Sequence, residues 1–491
     1  MGNLIFSLKL LNSLKFNFDL IKLNPFSILH FLLNSVYDEN ESNIGELIIL
    51  KADYIIAEIG STTTVVTAFD FSGDEPKVLV QGKGYTSVLE GDVTIGLKEA
   101  IKDIEDQIKE ELKWNKMLAT SSAAGGLKIT VHGLVHDMTV KAAKEAALGA
   151  GGIIKMVTSG KLRERDVKKI EKIRPNLIMI AGGTDYGERE TALYNAEIIK
   201  DANLGIPVIY CGNIANHDEI KDIFEGDELY IVDNVYPRID ELNVEPTREV
   251  IQRAFERNIV KAPGMDKIKD MVDGSIMPTP GAVMQSTKVL YEELGDLVVF
   301  DVGGATTDVH SVTDGSVDIM NILVNPEPRA KRTVEGDLGL FVNKDNVIEI
   351  LNERDLDGLE VEYIRENIKA IPKTEDEKRC SEILCKKSVE VALSRHVGYI
   401  KRLFVGKNSL VAYGKDLSQV KYIIGTGGAL TRLPNGRSVL EKIRYMGDDI
   451  SMLPRDDCKV MIDNMYIMAC AGVLSRENKE AAKRLLRASV K

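Results

Sequence analysis

Twice in this chain an apolar strand ends at an acidic residue, turns through glycine and hydroxyl residues, and resumes as a second strand. The first copy reads YIIAEIG, STT, TVVTAFDF from residue 54, and the second LVVFDVGGATTDVHSV from residue 297. A third strand follows each: KVLVQGKGYTS at 77–87, and SVDIMNILV at 316–324 beyond the turn at Asp314-Gly315. Residues 52–90 and 296–324 therefore read as two copies of one three-strand unit, which demands two related lobes. A different grammar lies between them. From 153 to 260 the runs IIKMVTSG, NLIMIAGG, IPVIYCGN and ELYIVDN alternate with helical or turn segments, so a parallel sheet covered by helices is inserted.

Helices follow the same logic of spacing. Apolar residues at 97, 101, 104, 108 and 112 predict a helix over 93–114. KMLATSSAAGGLKITVHGLV reads as a strand and a small-residue loop, TVKAAKEAALGAGG as an alanine-rich helix, and NMYIMACAGVLS as a closing small-residue helix. The resulting division is an extension at 1–44, a first lobe at 52–152, the inserted domain at 153–260 and a second lobe at 261–491. At 491 residues the chain is long enough for several domains.

Three loops carry the chemistry: EIGSTTT (58–64), DVGGATTD (301–308) and GTGG (425–428), each after an apolar strand. Glycine lets the backbone approach an anion, and Ser or Thr adds a hydroxyl donor, so such loops make concave amide clusters that hold phosphate. Each alone is also ordinary tight-turn composition. Phosphate chains bring Mg²⁺, which touches few protein carboxylates, and Glu58, Asp301 and Asp308 have that chemistry. The chain has no G-x-x-x-x-G-K-[ST] sequence and no G-x-G-x-x-G opening a helix, which leaves the paired hairpins as the route to a nucleotide.

Composition narrows the partners. A net charge of −12 and the lack of a long basic run speak against nucleic acid. Five cysteines, an odd number in a long chain, fit a reducing cytoplasm better than a disulfide framework; Cys380 and Cys385 alone make a weak metal site. The extension at 1–44 differs in composition from the rest and reads as non-native or loosely attached. Its apolar stretches are broken by Lys9, Lys15, Asp19 and Lys22, short of the roughly 20 residues of a membrane span.

These loops resemble the acetate kinase, sugar kinase, Hsp70 and actin superfamily, and DVGGATTD is similar to the second phosphate motif of its Hsp70-type members. Within it, AEIGSTTTVVTAFD, TSSAAGGLKITVHGLV, AALGAGG, IAGGTDYG and GTGGAL resemble the MutL (GlmL) family of glutamate mutase operons, which is unrelated to the mismatch-repair protein of that name. The resemblance runs from about residue 52 to the end. It implies an α/β fold of duplicated RNase H-like domains with an inserted α/β domain. It also implies an ATP- and Mg²⁺-dependent reactivating chaperone for an adenosylcobalamin-dependent mutase, with ornithine aminomutase as another partner.

By that resemblance Gly60, Ser61, Thr62 and Thr63 hold the β- and γ-phosphates, and Gly303, Gly304 and Thr306 the other side. Asp301 and Asp308 serve Mg²⁺ and the attacking water, and Gly427 and Gly428 the adenosine. Glu58 stands where the superfamily has Asp, one methylene longer, which puts its metal contact in question. His310, in DVHSVT, reads as a satisfied strand histidine rather than a cobalt ligand. IAGGTDYGERE (180–190) is equally a ligand cradle or a plain turn. A small-molecule kinase, a dehydratase activator with an iron–sulfur cluster on Cys211, Cys380 or Cys385, and an actin-type assembly protein are the competing functions.

Overall fold

In the computed structural model the described residues are 51–73, 75–87, 92–122, 127–259, 264–274, 276–403, 410–444 and 450–491. The 1–44 extension and the middle of the SSAAGG loop lie outside them. β1 (Lys51–Ile59), β2 (Thr63–Asp70) and β3 (Lys77–Tyr85) form an antiparallel meander. On the other side of β1, β4 (Lys113–Ser121) and then β10 (Ile276–Pro278) add in parallel.

The second lobe repeats this plan. β11 (Leu297–Val302), β12 (Thr307–Val312) and β13 (Ala330–Glu335) form the meander, and β16 (Tyr422–Thr426) and β17 (Lys459–Ile462) add in parallel. The orders β3-β2-β1-β4-β10 and β13-β12-β11-β16-β17 match strand for strand. The fold is thus a pair of RNase H-like units of the actin and Hsp70 type.

Two expected elements are displaced. SVDIMNILV is not the third strand of the second copy: Val317–Met320 is a short helix, and β13 comes later. Ser316 Oγ accepts from Ile319 N, and Asp416 Oδ2 accepts from Ser316 N, so a side-chain cap overrides the β-branched composition. The helix read over 93–114 stops at Ile108, where Lys109 turns left-handed at φ 59°. Lys113 onward pairs with β1, so sheet extension wins over the apolar spacing that Leu112 had continued. The helix that remains lies directly on β3, because Gly82 and Gly84 bring strand backbone against Ala100 and Gly96.

The inserted sheet consists of β5 (Leu127–Gly133), β6 (Gly152–Ser159), β7 (Leu177–Ile180), β8 (Val208–Tyr210) and β9 (Leu229–Ile231), all parallel. Its first strand, β5, comes from the segment read as a strand and loop. A small hairpin, β14 (Tyr399–Arg402) and β15 (Leu410–Tyr413), completes the strands described.

One apolar core runs from the first lobe into the inserted sheet, joining Ile55 and Leu97 to Val131 and Met179. A second fills the C-terminal lobe around Phe300 and Leu384. A third joins the lobes: Ile56 and Leu118 of one sheet and Val299 and Ile424 of the other share it with the helices Thr279–Leu294 and Met468–Leu474. Gly472 lets those helices approach at backbone distance, and Ser286 Oγ donates to Met468 O at 2.6 Å. Among the described residues no helix is long and apolar enough to cross a membrane.

Candidate functional site

The two hairpin loops are built alike. Gly60 N donates to Thr63 O at 3.0 Å, and Gly303 N donates to Thr306 O at 2.9 Å, closing the same four-residue turn in each lobe. A Cβ on Gly60 would stand 2.6 Å from Thr63 O, which requires glycine there. The loops also meet: a Cβ on Gly304 would come within 3.1 Å of the Thr62 side chain. The third loop closes on the second, since Gly427, at φ 82°, lies so near that a Cβ would come 2.6 Å from Asp301 Oδ1. In front of Gly428 the space is open.

All twelve residues singled out from the sequence line one cleft of about 760 Å³ between the lobes. Glu58, Gly60, Ser61, Thr62 and Thr63 come from the first lobe; Asp301, Gly303, Gly304, Thr306, Asp308, Gly427 and Gly428 come from the second. That volume suits a small-molecule ligand.

Acidic groups form its floor. Asp301 is held well above the ordinary carboxylate range, first by burial and then by the charges of Asp308, Glu58 and Asp463. Glu58 is pushed up to about 7 by burial, against the pull of the Tyr466 hydroxyl, which donates to its Oε1 at 3.0 Å. Carboxylates that resist ionising together are relieved by a cation. Among the described residues no cluster offers a complete protein-built metal cage. One or two carboxylates with water and phosphate making up the rest is how Mg²⁺ is usually held, so these residues fit that ion.

Asp308 is engaged differently. Its Oδ1 accepts from Arg332 Nε at 3.0 Å and Nη2 at 2.7 Å, and its Oδ2 accepts from Thr306 Oγ1 at 3.1 Å. Arg332 is 2% exposed and also donates through Nη1 to Leu148 O, at the end of the helix Lys141–Gly149. Asp308 is therefore wired to a segment more than 150 residues away in sequence, as the separation of 184 between Arg332 and Leu148 shows.

Three residues escaped the sequence reading. Asp463 is fully buried and accepts from Thr426 Oγ1, Ile467 N and Met468 N. Its signal was present, since it follows β17 as an acid after a strand, much as Asp301 ends β11. Tyr466, left-handed at φ 52°, and Arg332 gave none. His310 is corrected: it is fully buried, yet neither ring nitrogen has a hydrogen-bond partner among the described residues, and burial holds it neutral. The five cysteines are buried and unpaired, so Cys211, Cys380 and Cys385, each at 0% exposure, present no thiols for a surface-bridging cluster.

Among solved structures, the fold is similar to nucleotide-free acetone carboxylase, at 13% identity and a TM-score of 0.39 over 86% of this chain and 70% of that one. It is also similar to a glycerol dehydratase reactivase, at 11% identity and a TM-score of 0.31 over 87% and 100%. A curated relative, Protein MutL of Clostridium tetanomorphum, is 36% identical over 456 residues, covering 88% of this chain and 98% of its own. The sequence model of the MutL protein matches residues 54–490, and with that match and that relative the chain belongs to the MutL family.

Proposed function

We propose that the chain binds and hydrolyses ATP and uses the resulting lobe movement to reactivate an adenosylcobalamin-dependent mutase, such as glutamate (methylaspartate) mutase or ornithine aminomutase. One observation carries this reading: two phosphate-type turns, one from each lobe, meet at Thr62 and Gly304 over a floor of carboxylates. With Gly60 N and Gly303 N closing their turns, the loops they begin take the β- and γ-phosphates from opposite sides through Ser61 to Thr63 and Gly304 to Thr306. Gly427 and Gly428 leave room for the adenosine.

Asp301 and Glu58 are the residues that would hold Mg²⁺, with the Tyr466 hydroxyl occupying one Glu58 oxygen. Mg²⁺ supplies charge neutralisation on the phosphates. Asp308 keeps its water-orienting role through Thr306, because Arg332 already balances its charge. Opening or closing at the shared helix pair changes the outer surface that grips the mutase. The link from Asp308 through Arg332 to Leu148 supplies a route by which the loop state reaches the inserted sheet.

We infer domain limits of 52–122 for the first lobe, 127–259 for the insert and 264–491 for the second lobe, with β10 lent back to the first sheet. Phosphate release, measured with and without a mutase stalled on damaged cobalamin, tests the function. Release that rises with the stalled mutase and vanishes in Asp301→Ala supports it. Release that responds instead to a small metabolite contradicts it.

A further inference from the structure

The turn Gly303–Thr306 does not stand alone. Residues 336–343, between β13 and the helix Lys344–Glu349, run alongside it, and their donors take its carbonyls one after another. Leu340 N donates to Gly303 O at 3.2 Å, and Phe341 N and Val342 N donate to Gly304 O at 2.9 and 2.8 Å. Asn343 Nδ2 donates to Ala305 O at 2.8 Å. The same nitrogen donates to Gly336 O at 2.8 Å, which uses both of its hydrogens and ties the two ends of the segment together.

A trans peptide unit is planar, with its C=O and N–H on opposite edges. Turning the carbonyls of Gly303, Gly304 and Ala305 to the segment therefore turns the N–H groups of Gly304, Ala305 and Thr306 away from it. Among the described residues no protein acceptor takes any of these three amides, and all three residues line the cleft. Free amides on consecutive residues are what a phosphate cradle needs. The segment is itself anchored: Leu338 and Leu340 are buried in the C-terminal core, Leu338 O accepts from Thr307 Oγ1 at 2.7 Å, and Asp337 pairs with Arg395. Gly339 permits the close approach, since a Cβ there would stand 2.3 Å from the Ala305 backbone. The first turn is supported less fully. Thr62 O accepts from Thr86 N and Thr63 O from Gly60 N, whereas among the described residues Gly60 O and Ser61 O accept from no protein donor.

We propose that residues 336–343 form a brace that presets the second phosphate turn, and that Asn343 is a positioning residue holding the Ala305–Thr306 peptide with its N–H free for the terminal phosphates of a nucleotide. This rests on the reading that the cleft takes a triphosphate. Asn343 acts through Ala305 rather than on the phosphate. Asn343→Leu keeps nearly the same shape and adds no charge, but it has no N–H to give. The Ala305–Thr306 peptide then loses its anchor and can turn its carbonyl, instead of its amide, towards the anion.

Calorimetric titration of the full chain with MgATP, AMP and magnesium tripolyphosphate, which carries the phosphates without adenosine, tests this. Asn343→Leu should weaken ATP and tripolyphosphate about 10- to 100-fold, the loss of one hydrogen bond to a charged group, and leave AMP unchanged. Gly339→Ala, which displaces the brace without touching its side-chain amide, should give the same selective loss. A general loosening of the fold would weaken all three ligands together. ATP bound by Asn343→Leu as by the wild type, or ATP and AMP weakened alike, overturns the proposal and leaves the proposed function standing. Tripolyphosphate bound by the wild type and lost in Asn343→Leu, with no uptake of ATP, contradicts only the proposed function. No uptake of either polyphosphate by the wild type contradicts both.

Discussion

Burial first, and then the charges of neighbouring acids, raise Asp301 and Glu58 above the ordinary carboxylate range, so both resist ionising together until a cation arrives. Asp301→Asn copies the neutral form in shape and hydrogen-bonding reach. It should leave the ligand-free melting temperature unchanged or slightly raised, while ATP hydrolysis falls by at least about 100-fold, a loss typical of deleting one electrostatic contact in an active site. A loss of folding together with activity would mean that Asp301 is structural. Two glycines separate backbone need from ligand need. Gly60→Ala places a Cβ 2.6 Å from Thr63 O and should lower both stability and nucleotide affinity. Gly428→Ala meets no protein atom within 4 Å, so calorimetry should show weaker ATP binding at unchanged thermal stability. The glycines and strand-ending acids were legible because turn chemistry is local. Arg332 was not, since nothing in AKRTVE separates a buried arginine from the exposed residue usual on a strand.

At the scale of elements, the second meander and the inserted sheet meet through Arg332. Arg332→Ala leaves Asp308 buried without its cation and should cost about 3–5 kcal/mol by chemical denaturation. Adding Asp308→Asn to that variant should recover part of the loss, and no recovery would show that the arginine acts by packing alone. β5 carries a second marker, His132, fully buried between Thr130 and Thr158, with burial depressing its pKa to about 4. The unfolded chain takes up this proton near pH 6.5 and the folded one only near pH 4. Its stabilising contribution is complete above about 6.5 and is lost as pH falls towards 4. Urea unfolding across that window should show His132→Asn with a pH slope shallower than the parent by up to about 1.4 kcal/mol per pH unit. Equal slopes would place His132 in contact with water. Most elements were readable from periodicity. β5 was hidden because a small-residue loop runs into it, and the 93–114 helix was read too long because Leu112 keeps helical spacing while Lys113 onward belongs to the sheet.

Over the whole molecule, the duplication is the feature the sequence announced most clearly, since both meanders repeat strand, glycine turn, strand within one contiguous stretch. The parallel strands β4, β10, β16 and β17 are supplied from far along the chain, and no local pattern assigns them to a sheet. The same is true of the apolar core joining the lobes, where Ile56 and Val299 share the helices Thr279–Leu294 and Met468–Leu474. That joint is what allows two phosphate turns to face one ligand. Calorimetric titration of the full chain with ATP and AMP, each with Mg²⁺, tests this convergence most directly. One ATP per chain is expected, bound at least about 100-fold more tightly than AMP, because the turns from both lobes grip the terminal phosphates. No heat with ATP, or AMP bound as tightly as ATP, would contradict it.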